Sequence, residues 1–189
     1  MSVREVAMKD EDLAVIRRWS TVMSHICIIA AVAFLGGSIW QWRSIDPSGL
    51  ASWLGVPTVR FDHGRTIGLF LLICLPAAIN AYGLMHIRSS FRCFARGEIF
   101  SPKAIFGLQK FGSAGAISAL AAAIMTPLIG SWLTYDSAAG VDFPIVISTG
   151  GLTILVISGF TWTFARTLGI AAAVERRNQE LTEENAAFV

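Results

Sequence analysis

Residues 66–87 read TIGLFLLICLPAAINAYGLMHI, 22 positions without an Asp, Glu, Lys or Arg, and the next residue is Arg88, the first of three arginines (Arg88, Arg92, Arg96) at four-residue intervals. An uncharged apolar run of about 20 residues, wound as an α-helix, matches the ~30 Å hydrocarbon core of a bilayer. The arginines keep the helical period while changing the environment. The stretch therefore predicts a membrane-spanning helix that runs past the bilayer through Ser90 and Phe94, with Gly97 ending it.

Three further windows, residues 19–42, 111–135 and 143–165, have the same character. Hydrophobic residues make up 54% of the 189 positions and charged ones 15%, against roughly 25% charged in soluble domains. The pattern predicts an all-α integral membrane four-helix bundle. It forms a single membrane domain over residues 1–189, with a tail at 166–189. What lies between the spans is too short for a separate soluble catalytic domain of ~50 residues, which argues against an enzyme.

The cations follow the membrane. Arg4, Lys9, Arg17, Arg18, Arg88, Arg92, Arg96, Lys103, Lys110, Arg166, Arg176 and Arg177 fall on one side of the four spans, and only Arg43, Arg60 and Arg65 on the other. Twelve against three, with an even number of spans, gives both termini inside and a multi-pass protein of the bacterial inner membrane. A formal net charge of +2, with no basic stripe on one helix face, gives no footprint for direct nucleic-acid binding. Ala31-Val32-Ala33, after Arg17-Arg18 and an apolar run, imitates a signal-peptide cleavage site. The apolar character continues through Phe34, Leu35 and Ile39 to Trp40, and Asp10-Glu11-Asp12 precedes it, so the segment is expected to stay as span one.

The connections carry distinct signals. Residues 1–19 read as a short surface helix feeding span one, which closes with the interfacial pair Trp40 and Trp42. Residues 43–65 form the longest outer loop, with a turn at Asp46-Pro47-Ser48-Gly49 and a breaker at Pro57. Leu50, Trp53, Leu54 and Val56 between them suit the membrane surface. Ser101-Pro102 restarts the helix after Gly97, Ser as N-cap and Pro in the first turn. Residues 91–110 therefore read as a cytoplasmic helical hairpin between spans two and three. Span three is rich in Gly, Ala and Ser from Gly112 to Ala123, which permits close helix approach, and Pro127 is placed to bend its outer half. A short outer loop at residues 135–142 leads to span four, which starts near Pro144, and the tail carries Glu175, Arg176, Arg177, Glu180, Glu183 and Glu184.

Chemistry-bearing residues are sparse. No ionisable Asp, Glu, Lys or Arg lies deep in a span, where transporters commonly hold one. Asn80 is the most polar mid-membrane group. An interhelical hydrogen bond is its plain role, and a cavity lined by Pro76 and Asn80 the functional one. His25 and His86 lie toward the inner ends of spans one and two, and two imidazoles facing across a bundle would suit a haem iron. The plainer reading puts His86 at headgroup level and gives His25 one hydrogen-bond partner, with no cofactor. His63 beside Asp62 lacks a third ligand nearby, and Cys27, Cys74 and Cys93 lack CxxC spacing, so no metal site is indicated. The tryptophans near span ends form an interfacial belt, and the pairs Gly36-Gly37 and Gly150-Gly151 read as helix-packing sites.

Arg92, Arg96 and Lys103 beside Phe91, Phe94 and Phe100 make the hairpin the most informative surface, suited to anionic headgroups or a partner protein. Gly97-Glu98-Ile99-Phe100-Ser101-Pro102-Lys103, followed by Leu108 and Gly112, resembles the segment before the third helix in the DUF2975 group of bacterial four-helix membrane proteins. The tail from Leu181 to Val189, with Glu183 and Glu184, resembles that group's acidic terminus. Some members of the group are thought to be encoded beside small helix-turn-helix regulators. The resemblance thus implies a membrane partner or sensor for a cytoplasmic regulator, and no catalytic residues.

The leading expectation is a non-enzymatic, partner-binding or sensory membrane subunit, with Arg92, Arg96, Phe100, Lys103, Glu183 and Glu184 as its contact residues. One alternative is a small-solute or lipid transporter that would need a homo-oligomer to enclose a pathway. Another is a haem or quinone redox subunit using His25 and His86.

Overall fold

The computed structural model describes residues 3–44, 46, 63–134 and 149–187. Over these residues the chain forms four α-helices, α1 (Val3–Arg43), α2 (His63–Ala95), α3 (Pro102–Thr134) and α4 (Thr149–Ala187), and no strand. Each holds a run long and apolar enough to cross a membrane. The expected outer-loop features at residues 47–62, the loop at 135–142 and a start of span four near Pro144 lie outside the described residues.

The N-terminal segment is not a separate short helix. α1 is continuous over 41 residues, because it contains no Pro and its first Gly is Gly36. At 1.5 Å per residue it is about 60 Å long, roughly twice the hydrocarbon thickness. α4, at 39 residues, is of similar length.

α1 packs on α2, α2 on α3 and α3 on α4, with no comparably extensive contact between α1 and α4 among the described residues. The bundle is therefore an open row with α2 and α3 in the middle. Of the apolar window of α3, 35% is buried, against 11% for α4.

The row runs up and down. The Arg17 guanidinium lies 3.6 Å from where a Cβ on Gly97 would sit, and Ile105 lies 3.7 Å from the corresponding point on Gly169. The charged half of α1, the α2–α3 turn and the charged half of α4 therefore share one end. At the other, Trp42 meets Phe70 edge-on at 5.5 Å between ring centroids.

The interior is small and the exterior large. Buried positions are mostly Ala, Ser and Cys, including Ala104, Cys93, Ser90 and Ala165, whereas Ile29, Val32, Trp40, Leu71, Phe160 and Phe164 are exposed. In water each such side chain would forgo about 1.5–3 kcal/mol of burial. Facing lipid they lose nothing, and the small residues inside let helices approach closely where no hydrophobic force drives them together. On α4 the buried positions against α3 repeat every seven residues through Ser158, Ala165 and Ala172.

The α2–α3 interface is the tightest. A Cβ added at Gly107 would fall 2.6 Å from the His86 carbonyl oxygen, and one at Gly83 2.9 Å from the Ala114 methyl. Ser90 Oγ donates to the Ala104 carbonyl at 2.6 Å. Asn80 Nδ2 donates to Ser118 Oγ at 2.7 Å, and Ser118 Oγ donates onward to the Pro76 carbonyl at 3.0 Å. Gly36 and Gly37 show the opposite: a Cβ at either would meet nothing within 4 Å, so none of the other described helices packs against them.

Candidate functional site

Polar groups concentrate at the shared charged end. α2 stops there because Gly97 adopts φ +83°, a left-handed conformation that costs a glycine little. The Glu98 N–H reaches back to the Cys93 carbonyl at 3.0 Å and the Gly97 N–H to the Phe94 carbonyl at 2.9 Å, the paired bonds of a Schellman cap. α3 restarts with Pro102 in its first turn and the Ser101 hydroxyl accepting the Ala104 N–H at 3.2 Å. At that same Ala104, Ser90 fastens the incoming helix through the carbonyl. The short turn is thus capped on both sides and pinned below, which fixes where the arginines before it stand.

Those arginines line a cleft. On α1, Ser20, Ser24, Cys27 and Ala31 are buried at helical spacing and form the seam against α2. Where that seam approaches the charged end a space of about 320 Å³ opens, walled by Thr21, Ser24 and His25 on α1 and by Arg88, Arg92 and Arg96 on α2. The Arg88 Nε is buried and has no hydrogen-bond partner among the described residues. Arg96 is engaged: one of its nitrogens lies 3.2 Å from Glu98 and 3.5 Å from the Cys93 sulfur. His25 Nδ1 donates to the Thr21 carbonyl at 2.8 Å, since a carbonyl can only accept, which leaves Nε2 as the ring's other polar atom.

The structure distributes the sequence-predicted residues among several places. Arg92 and Arg96 line the cleft, while Phe100 and Lys103 are exposed at the turn and in the first turn of α3. His25 and His86 serve different interfaces: His25 walls the α1–α2 cleft, while His86 stacks edge-on with Tyr82 at 4.4 Å and faces Phe106 of α3 at 6.1 Å. Pro76 and Asn80 belong to the hydrogen-bond chain with Ser118. Among the described residues no group of three or more His, Cys, Asp or Glu side chains could hold a metal ion.

Glu183 and Glu184 stand on a projection. The last buried residue of α4 is Ala172, and every position from 173 to 186 is exposed. The ties along this stretch are local, Arg177 to Glu180 at 3.6 Å and Gln179 to Glu175 at 3.2 Å. Val174 and Leu181, at helical spacing, are exposed apolar side chains along it, and Ile170 extends the row just before it.

Sequence reasoning missed Arg88 as part of a site, taking it only as a marker of the span's end. The available signal was the polar set Ser20, Thr21, Ser24 and His25, spaced at one helical turn inside an otherwise apolar span. Comparisons with protein-family models, curated proteins and solved structures find no match.

Proposed function

We propose that this chain is a non-enzymatic inner-membrane protein, with both termini in the cytoplasm, that binds another protein through its charged end. The observation that carries the reading is the α4 projection: residues 173–186 continue as an exposed helix beyond the last buried residue, bearing Val174 and Leu181 beside acidic side chains. An isolated helix of this length is marginal in water, so continuity with α4 holds it out as a docking element. Arg92, Phe100 and Lys103 at the neighbouring turn supply basic and aromatic contacts at the same end. The resemblance of residues 97–103 to the DUF2975 group agrees with such a role and would make a cytoplasmic regulator the partner.

Co-purification from native membranes in mild detergent tests the proposal. Removing residues 173–189, or replacing Arg92, Arg96 and Lys103 together, is expected to strip a stoichiometric inner-face partner while leaving insertion intact. Unchanged co-purification in both variants would sink it. A Soret band lost on substituting His25 or His86 would replace it with a redox role. The open row favours assembly as a homo-oligomer, and solute uptake into vesicles by that oligomer would establish transport instead.

A further inference from the structure

We propose that the cleft between α1 and α2 binds a phosphate group at the membrane surface, with Arg88, Arg92 and Arg96 facing it from α2 and Ser24 and His25 from α1. Three arginines line one space of about 320 Å³. Among the described residues the carboxylate beside them is Glu98, already engaged by Arg96. An arginine N–H buried without a partner is costly, and Arg88 Nε is in that state. An anion entering the cleft would relieve the repulsion among the three cations that line it.

Phosphate suits this lining better than a simple halide. The guanidinium is a rigid fork of donors matched to paired oxygens, and Ser24 lies on the opposite wall beside Thr21, whose hydroxyl already donates to the Arg17 carbonyl. The position also fits. Arg88 follows directly on the uncharged run 66–87, at the depth where a lipid phosphate meets the hydrocarbon. The phosphate could belong to an anionic lipid headgroup or to a free solute, because both present the same oxygens.

The cleft shares Arg92 and Arg96 with the proposed partner-binding surface, and Arg88 and the α4 projection are what tell the two apart. Arg88 is half-buried between α1 and α2, whereas Lys103 and the α4 projection are exposed. Loss of partner co-purification in tail variants therefore leaves this inference standing, and failure here leaves the partner reading standing.

The test uses the full-length protein, delipidated in neutral detergent, with native mass spectrometry to read retention of phosphatidylglycerol and a separate titration with inorganic phosphate. The wild type is expected to retain one phosphatidylglycerol about tenfold more tightly than Arg88→Gln, with Arg88→Lys intermediate because it keeps the charge but not the fork. Arg92→Gln, at an exposed position, is expected to weaken retention in the same direction. Arg177→Gln, on the α4 projection, should change nothing. Displacement of the lipid by inorganic phosphate would identify a free phosphate as an adequate ligand, and lipid binding indifferent to phosphate would identify the headgroup. The proposal is overturned if neither probe binds, if Arg88→Gln and Arg92→Gln bind like wild type, or if Arg177→Gln loses as much as Arg88→Gln.

Discussion

The two interfaces that α2 makes are built on opposite plans. Toward α3 it offers Gly83, Ser90 and Asn80, and each is met at close range by Ala114, Ala104 or Ser118, with the polar bonds between them satisfied. Toward α1 the seam of Ser20, Ser24, Cys27 and Ala31 is close-packed in the span, yet at the charged end it opens into a cleft where an arginine nitrogen is left without a partner among the described residues. One face of the same helix is closed by fit and the other is left incomplete. A completed interface is a device for stability, whereas an incomplete one leaves room for the phosphate proposed above.

The sharpest way to break the contrast is to overfill the closed side. Gly107→Val would drive its Cβ against the His86 carbonyl and the Ser90 hydroxyl, and the backbone oxygen cannot move aside. Overpacking of this kind costs about 1–3 kcal/mol and occasionally more. Thermal unfolding in detergent is expected to show a larger loss for Gly107→Val than for any change at Arg88, Asn80 or Gly36. A wild-type midpoint would mean that α2 and α3 can separate at this point without cost.

The open side should respond with the opposite sign. Replacing Arg88 by Met removes a charged donor that has no acceptor and leaves a stem of similar reach. Because substituting an unsatisfied buried donor by an apolar group ranges from neutral to favourable, stability in anion-free detergent should hold or rise by about 1 kcal/mol. In the presence of phosphatidylglycerol the wild type should regain the advantage. A marked loss for Arg88→Met without any anion would show that Arg88 is a structural member of the interface.

A smaller effect is expected at the hydrogen-bond chain. Asn80→Ala removes one donor from Ser118 and leaves the Ser118 bond to Pro76 in place. Interhelical bonds of this type in membranes average about 0.6 kcal/mol and reach about 1.7. Unfolding should shift by that amount, and a disproportionate loss of a transport or binding activity would point to a cavity function for Asn80.

The same contrast separates what could be read in the sequence from what could not. The uncharged run 66–87, the Gly97 stop and the Ser101-Pro102 restart are local properties, each decided by a few adjacent side chains, and they are legible one residue at a time. The row order of the helices is not local. Small residues are spread over all four spans, so Gly36-Gly37 looks as suitable for packing as Gly112 and Gly115, yet only the latter two meet Ser158 of α4. The continuity of α1 through residues 3–18 is obscured by its charges, which suggest a break where no helix-breaking residue exists. Arg88, Arg92 and Arg96 can be seen to share a face, but the wall opposite, Ser24 and His25, depends on which helix packs there and in what register.

Gly36 and Gly37 supply the smallest expected effect and the control for all the others. Within this chain a methyl at either position meets nothing within 4 Å, and alanine is the better helix former by roughly 0.8–1.0 kcal/mol in an exposed helix interior. Gly36→Ala and Gly37→Ala should therefore leave the monomer unchanged or slightly more stable in detergent, in direct contrast to Gly107→Val. A loss of stability that depends on protein concentration would mean that this bare face of α1 is closed by a second copy of the chain. In that case the open row of helices would be half of a larger assembly, with the glycines at its contact.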